Sequence, residues 1–289
     1  MADSYSAAWL SHTSIVDFQK CSRAYFLKHI YRDPKTGRKI KLVSAPLTLG
    51  QVLHEVLEEI SVLPKDERLA LPLMARFDRI WEKFSGPRGG FDNRETENRY
   101  KQRGREMIAR LTNSPGPLVN LAVKINLDLP HFWLSEKDNL ILCGKIDWLE
   151  YFPEENAVGI IDFKTGQGSE EEDSLQLPIY RLIAEKCQER PVKKASFWYL
   201  DRQNYPQEIE LPSRKQTLKK LLKIGKEIRL SYQLDRFACP KGESGCFFCL
   251  PMEAVVRGQA KPVGEDDFGY SVYFLPEIKK QDRASSRVL

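Results

Sequence analysis

No apolar run in the sequence approaches the length of a membrane span. The N-terminal Met-Ala-Asp-Ser also lacks the basic stretch and apolar stretch of a secretory leader. Both absences point to the cytoplasm and away from a membrane partner. There is no internal repeat and no low-complexity segment, which excludes a solenoid or an extended tail-like chain. A Walker-type Gly-x-x-x-x-Gly-Lys-Ser/Thr stretch is missing, so no ATP-driven motor of that kind is encoded here. Charge of one sign is not in large excess: 45 Lys and Arg stand against 40 Asp and Glu, a formal net charge of +5. That balance permits a nucleic-acid partner without arguing strongly for one. The six cysteines, in a cytosolic chain, do not make a disulfide framework. What is present is 289 residues at 42% hydrophobic content, enough for one large domain or two small ones with a packed core.

The expected elements follow from periodicity and breakers. Thr13-Ser14 followed by Asp17 starts a helix that runs to about Ile30 and carries Cys21. Arg32 to Lys41 is basic and turn-rich, hence a loop. Leu49, Leu53, Val56, Leu57 and Ile60 line one face of a helix from Leu47 to Val62, with His54 at the edge of that stripe. Gly50 lies one turn before His54 and leaves space beside the imidazole. Further helices are expected over Glu67 to Phe84 and Asn93 to Leu111, the second highly charged. Its charges read as a solvated face in preference to a nucleic-acid backbone contact, because their signs are mixed. The period then changes to two, giving strands over Leu118–Leu129, Asn139–Phe152 and Ala157–Thr165. A helix over Glu172–Cys187, a strand over Lys194–Leu200, a helix over Ser213–Leu234 and a short strand over Tyr270–Leu275 complete the pattern.

One stretch carries most of the chemistry: Gly144-Lys-Ile-Asp147, and after it Asp162-Phe-Lys164-Thr-Gly166. Side chains alternate along a strand, so Val158, Ile160, Asp162 and Lys164 share one face and Ile161, Phe163 and Thr165 the other. Apolar residues on both faces make this a buried central strand, and charges at the rim of a core need partners. A structural ion pair is the bland explanation, but it does not account for Asp147, which hairpin pairing would bring close to Asp162. Two neighbouring carboxylates repel, and a divalent cation relieves the repulsion. With His54 added, the donor set is hard oxygen plus one imidazole, which suits Mg²⁺ or Mn²⁺ better than structural zinc. Such a set supports phosphodiester hydrolysis, with Lys164 orienting water or stabilising the transition state. Gln176 and Tyr180, four apart, share a helix face nearby.

The order Gly50-x-x-x-His54, Gly144-x-x-Asp147, Asp162-x-Lys164-Thr-Gly and Gln176-x-x-x-Tyr180 resembles the RecB-type branch of the PD-(D/E)XK nuclease superfamily. That branch includes the nuclease domains of recombination helicase-nucleases and the exonucleases of CRISPR adaptation. The resemblance spans about Leu47 to Asp201. It implies an α/β fold with a restriction-endonuclease-like core: a central mixed β-sheet flanked by helices, with an added helical N-terminal region and a cysteine-bearing C-terminal region. It further implies His54, Asp147 and Asp162 as metal ligands, helped by the Phe163 carbonyl, Lys164 as the catalytic lysine, and Gln176 and Tyr180 as residues that support the site and contact DNA. The expected activity is a metal-dependent deoxyribonuclease, an exonuclease on single strands or duplex ends. A helicase or CRISPR-adaptation protein is a candidate partner. Two alternatives stand beside it: a non-catalytic nucleic-acid-binding module, and a scaffold subunit that keeps the fold. Retention of Asp147, Asp162 and Lys164 together favours the enzyme.

Cys239, Cys246 and Cys249 crowd into a C-x6-C-x2-C stretch, a spacing that suggests a metal or cluster site. Some members of the family tie their termini together with a [4Fe–4S] cluster held by one early and three late cysteines. Cys21 supplies the early one here. In those proteins the C-x2-C pair comes first and the third cysteine follows, whereas here Cys239 precedes the pair. A four-thiolate zinc site is the competing reading, and free thiols the bland one. Cys143 and Cys187 read as small core residues. On this basis residues 1–276 form a single nuclease domain with its core at about 47–201. The helix over 13–30 and the segment over 235–250 are joined by the metal site, and 277–289 is a polar tail.

Overall fold

The computed structural model describes residues 6–276; the tail expected over 277–289 lies outside the described residues. Strand β1 (Ala8–Leu10) leads into α1 (His12–Lys20). A capping box starts α1: Ser11 and Ser14 each accept, through Oγ, from the other's backbone N–H. The expected helix over 13–30 is broken at Cys21, whose backbone is extended and whose sulfur accepts from Ala24 N. Cys21 thereby caps the next helix, α2 (Ser22–Tyr25), which passes into a π-helical turn at Phe26–Ile30. β2 (Ile40–Val43) forms at the end of the segment read as a loop.

α3 (Ala45–Ser61) buries Leu49, Val52, Leu53, Val56, Leu57 and Ile60. α4 (Leu73–Trp81) is shorter than the expected 67–84, because Pro72 precedes its first turn and a 3₁₀ turn follows at Glu82–Phe84. α5 (Arg94–Asn113) starts on Asn93, whose side chain accepts from Thr96 N at 2.8 Å. It buries only Gly104, Met107, Ile108 and Leu111, so its charged residues lie on the outer surface.

The alternation over 118–129 yields only β3 (Ala122–Val123). Leu121, Leu127 and Leu129 are exposed, so alternation without a neighbouring strand did not make a strand. A strand not read from the sequence, β4 (His131–Ser135), follows. The expected strand over 139–152 is two, β5 (Leu140–Cys143) and β6 (Trp148–Phe152), which belong to different sheets. The chain crosses between the sheets at Gly144–Asp147. Next come β7 (Ala157–Lys164), α6 (Gln176–Cys187), β8 (Val192–Tyr199) and β9 (Gln207–Glu208). Pro178 falls in the first turn of α6, where an N–H would have no partner within the helix. α7 (Arg214–Gln233), α8 (Leu250–Val256), β10 (Lys261–Glu265) and β11 (Ser271–Phe274) close the described chain.

The architecture is mixed α/β. The central sheet has the order β3-β6-β7-β8-β9, with β7 antiparallel to β6 and parallel to β8. Two three-stranded sheets have the orders β1-β5-β4 and β10-β11-β2. The faces of β7 define two cores. Val158 and Ile160, with Ala195 and Phe197, pack toward α6, α7 and the β1-β5-β4 sheet. Ile161 and Phe163, with Trp148 and Trp198, pack toward α3, α4 and α5. Each such fully buried large side chain stabilises the fold by roughly 1.5–3 kcal/mol. A third cluster gathers Cys21, Ala24 and Leu27 with Cys239, Cys249 and Met252. Among the described residues no helix is long and apolar enough to cross a membrane.

Candidate active site

Both acids sit where β6 and β7 meet. The ladder pairs Trp148 with Ile161, so the next residues, Asp147 and Asp162, face each other at its end. Asp147 lies just before β6 rather than within a long strand. Its Oδ2 accepts from Phe163 N at 3.0 Å, and its Oδ1 lies 3.2 Å from Nδ1 of His54 on α3. Asp162 is 2% exposed and its Oδ2 lies 3.0 Å from Lys164 Nζ. Gln176, the first residue of α6, donates from Nε2 to Asp162 Oδ1 at 2.7 Å and to the Tyr180 hydroxyl at 3.3 Å. Its Oε1 accepts from Lys164 Nζ. All these residues line one open cleft of about 420 Å³.

Two motif glycines have packing reasons. A Cβ at Gly144 would stand 3.1 Å from Ile183 Cδ1 and 3.3 Å from Tyr180 Cε1, so the glycine lets α6 close over the strand crossing. A Cβ at Gly50 would stand 3.2 Å from Thr165 Oγ1. The space at Gly50 therefore admits the end of β7, where the sequence reading assigned it to the imidazole of His54.

The charges are unbalanced in a way that invites a cation. Burial, and then the neighbouring Asp147, push the Asp162 carboxyl up to about 7, against the pull of Lys164. Burial draws the His54 imidazole down, but Asp147 outweighs it and the net shift is upward. Burial acts downward on Lys164, yet Asp162 and a further acid, Glu170, hold the ammonium above its usual range. The Tyr180 phenol is pushed well up by burial, then by Asp162 and Asp147. A carboxyl pushed up first by burial and then by a neighbouring carboxylate gains if a cation is placed between the two acids. Two carboxylates and an imidazole fit a hard divalent cation.

A sequence model of the PD-(D/E)XK nuclease superfamily matches residues 9–250. The chain belongs to the PD-(D/E)XK nuclease superfamily. Its central sheet, flanking helices and cysteine-bearing C-terminal region form a nuclease-type α/β fold. Among solved structures, one described as a "putative exonuclease" from Eubacterium rectale is similar, with a TM-score of 0.48 and 12% identity. The match covers 83% of this chain and 86% of that one. No curated protein sequence matches.

In this nuclease-family chain, motif reading had missed two residues beside the cleft. Glu170, on the loop after Gly166-Gln-Gly168, lies 2.9 Å from Lys164 Nζ. Burial would raise its carboxyl, but Lys164 holds it below its usual range. His12, on α1, is near enough to feel Glu170 and Lys164; burial is the largest influence on it and drives its imidazole down to about 4. Loop residues carry no periodicity. The only signal available was an acid on a glycine-containing loop between two motif-bearing elements.

The cysteines expected to act together are brought together. One sulfur each from Cys21, Cys239, Cys246 and Cys249 lies within 4.8 Å of every other. Cys246 and Cys249 Sγ are 3.9 Å apart. Burial opposes ionisation of Cys246, but backbone hydrogen bonds around Cys249 and Phe248 outweigh it and its thiol falls to about 7, whereas burial pushes Cys249 up to about 12. Four sulfurs this close can hold a metal. Cys143 is buried, as expected of a core residue. Cys187 is only half-buried and lies 3.6 Å from the His131 carbonyl.

Proposed function

We propose that this chain is a metal-dependent deoxyribonuclease of the RecB-type branch, working as an exonuclease on DNA single strands or duplex ends. The observation that carries the reading is the convergence of His54, Asp147, Asp162 and Lys164 in one cleft at the end of paired strands. His54, Asp147, Asp162 and the Phe163 carbonyl would hold Mg²⁺ or Mn²⁺. The chemistry such a cation supplies is Lewis-acid: water is acidified, and the charge building on the scissile phosphate is offset. Lys164 donates to the reacting phosphate or to the attacking water, and Gln176 keeps it aligned by gripping both Lys164 and Asp162. Tyr180 braces Gln176 and faces the substrate. DNA repair, recombination or CRISPR adaptation are the settings this reading suits, with a helicase or adaptation protein as partner. Residues 1–276 are read as one nuclease unit.

The deciding experiment uses end-labelled single- and double-stranded DNA with and without Mg²⁺ or Mn²⁺. Wild type is expected to degrade DNA only with the cation, and Asp162→Asn to lose cleavage while keeping the wild-type far-ultraviolet spectrum. Equal cleavage by the two proteins would reject the catalytic assignment.

For the four thiolates two occupants are proposed. A [4Fe–4S] cluster follows the one-early, three-late distribution. Zinc is favoured by a specific observation: the 3.9 Å between Cys246 and Cys249 Sγ matches the edge of about 3.8 Å implied by Zn–S bonds of about 2.3 Å in a tetrahedron. Anaerobic purification followed by iron, sulfide and zinc analysis separates them.

A further inference from the structure

The loop between Cys246 and Cys249 has a feature that metal binding does not require. Phe247 is 84% exposed and Phe248 37% exposed, and their rings meet edge to face at 5.7 Å. Large aromatics are normally buried, and these two stand on a loop whose ends are fixed by cysteines. Lys20, at the end of α1, lies 5.4 Å over the Phe248 ring. The same Lys20 lines a cleft of about 340 Å³ with His12, Gln19 and Lys220. Ser169 and Glu170 line both this cleft and the candidate active site, and Glu170 reaches Lys164. The aromatic pair, the Lys20 ammonium and the polar cleft therefore adjoin one another, and that cleft shares Ser169 and Glu170 with the candidate active site.

We propose that these adjoining surfaces form a track for single-stranded DNA, with Phe247 and Phe248 stacking on unpaired bases and Lys20 holding the backbone between them and Lys164. The inference rests on the nuclease reading for its choice of ligand. Aromatic faces take any unpaired base, and a cation beside them takes the adjoining phosphate; a paired duplex has no free base face to offer. Across the cleft Asp173 Oδ2 lies 3.3 Å from Lys220 Nζ and Glu170 holds Lys164, so the backbone contact is assigned to Lys20 on the α1 side.

The test measures binding without cleavage. The Asp162→Asn full-length chain, its metal content checked, is titrated against a fluorescein-labelled 20-nucleotide oligothymidylate with no divalent ion added, using anisotropy. Adding Phe247→Ala is expected to weaken binding about ten-fold, since stacking contributes roughly that much per base. Lys20→Ala is expected to weaken it several-fold and to lower the salt slope by about one. Phe247→Trp should keep tight binding and Phe247→Leu should lose it, a comparison between two apolar replacements of the same exposed position. Phe268→Ala, at an equally exposed ring on the β10–β11 turn, should change nothing. Equal affinity in the Trp, Leu and Phe proteins, or an equal loss from Phe268→Ala, would overturn the track. Because cleavage is never measured, a failed nuclease assay and a failed track are separate results.

Discussion

Three partners share the ammonium of Lys164: Asp162, Glu170 and Gln176. A side chain held so firmly pays little entropy to act at one point in space. Lys164→Met should therefore lower kcat by about 10²–10³-fold with little change in KM, read from steady-state cleavage of a labelled oligonucleotide. A second charged residue does structural work. Asp17 on α1 is buried and bonds Lys28 at 2.7 Å and His29 at 2.8 Å. Burial alone would raise its carboxyl, but His29 and Lys28 outweigh that and hold it below 3.8. Its stabilisation is thus fully present above about pH 4 and is lost as pH falls through the lower folded value. Asp17→Asn should cost about 2–4 kcal/mol at neutral pH, read from denaturant midpoints, and the gap to wild type should narrow below pH 4.

Among the elements, α5 shows how a charged helix is fixed by few contacts. A Cβ at Gly104 would come within 2.5 Å of the buried Phe77 ring and 3.0 Å of Leu49. Replacing a helical glycine by alanine normally gains about 1 kcal/mol in propensity, and by valine less. Here the clash is with a rigid ring, and overpacking of about 1–3 kcal/mol outweighs that gain. Gly104→Val should lower the urea midpoint, and the double change Gly104→Val with Phe77→Leu should recover part of it. The elements also explain what the sequence could and could not reveal. β7 was legible because Val158, Ile160, Ile161 and Phe163 are apolar on both faces, a pattern only a central strand sustains. Its partner β6 was legible in type but not in extent, because nothing between Leu140 and Phe152 marks the passage from one sheet to another. β2, β4, β10 and β11 were missed or mis-sized because short strands are decided by their neighbours, not by their own pattern. Asp147, Asp162, Lys164, Gln176 and Tyr180 could be named from spacing, since strand and helix periods fix which residues share a face. Glu170 reaches the cleft, and His12 the neighbouring one, through tertiary packing, which no local period records.

At the scale of the molecule, the four cysteines link the start of the chain to its distal third. Ser22 Oγ donates to the Ala238 carbonyl at 2.8 Å beside them, and Arg23 pairs with Glu253 at 3.0 Å. A metal at this junction should add stability by closing a long loop, the kind of constraint whose entropic effect grows with loop length. Removal of the metal by chelation, or Cys21→Ser, should each lower the thermal midpoint by several degrees, and the two together should lower it no further than either alone. Calorimetry alongside metal analysis reads the effect; additive losses would mean that the sulfurs do not share one ion or cluster.

The junction also sets an order on biogenesis. Ser22 and Ala238 are 216 positions apart in the chain. During synthesis Cys21 leaves the ribosome long before Cys239, Cys246 and Cys249 do, while both layers that pack on β7 are already translated by the end of α7. The candidate active-site cleft can therefore assemble on the nascent chain before the four sulfurs meet, and any metal they hold can enter only after Cys249 has been translated.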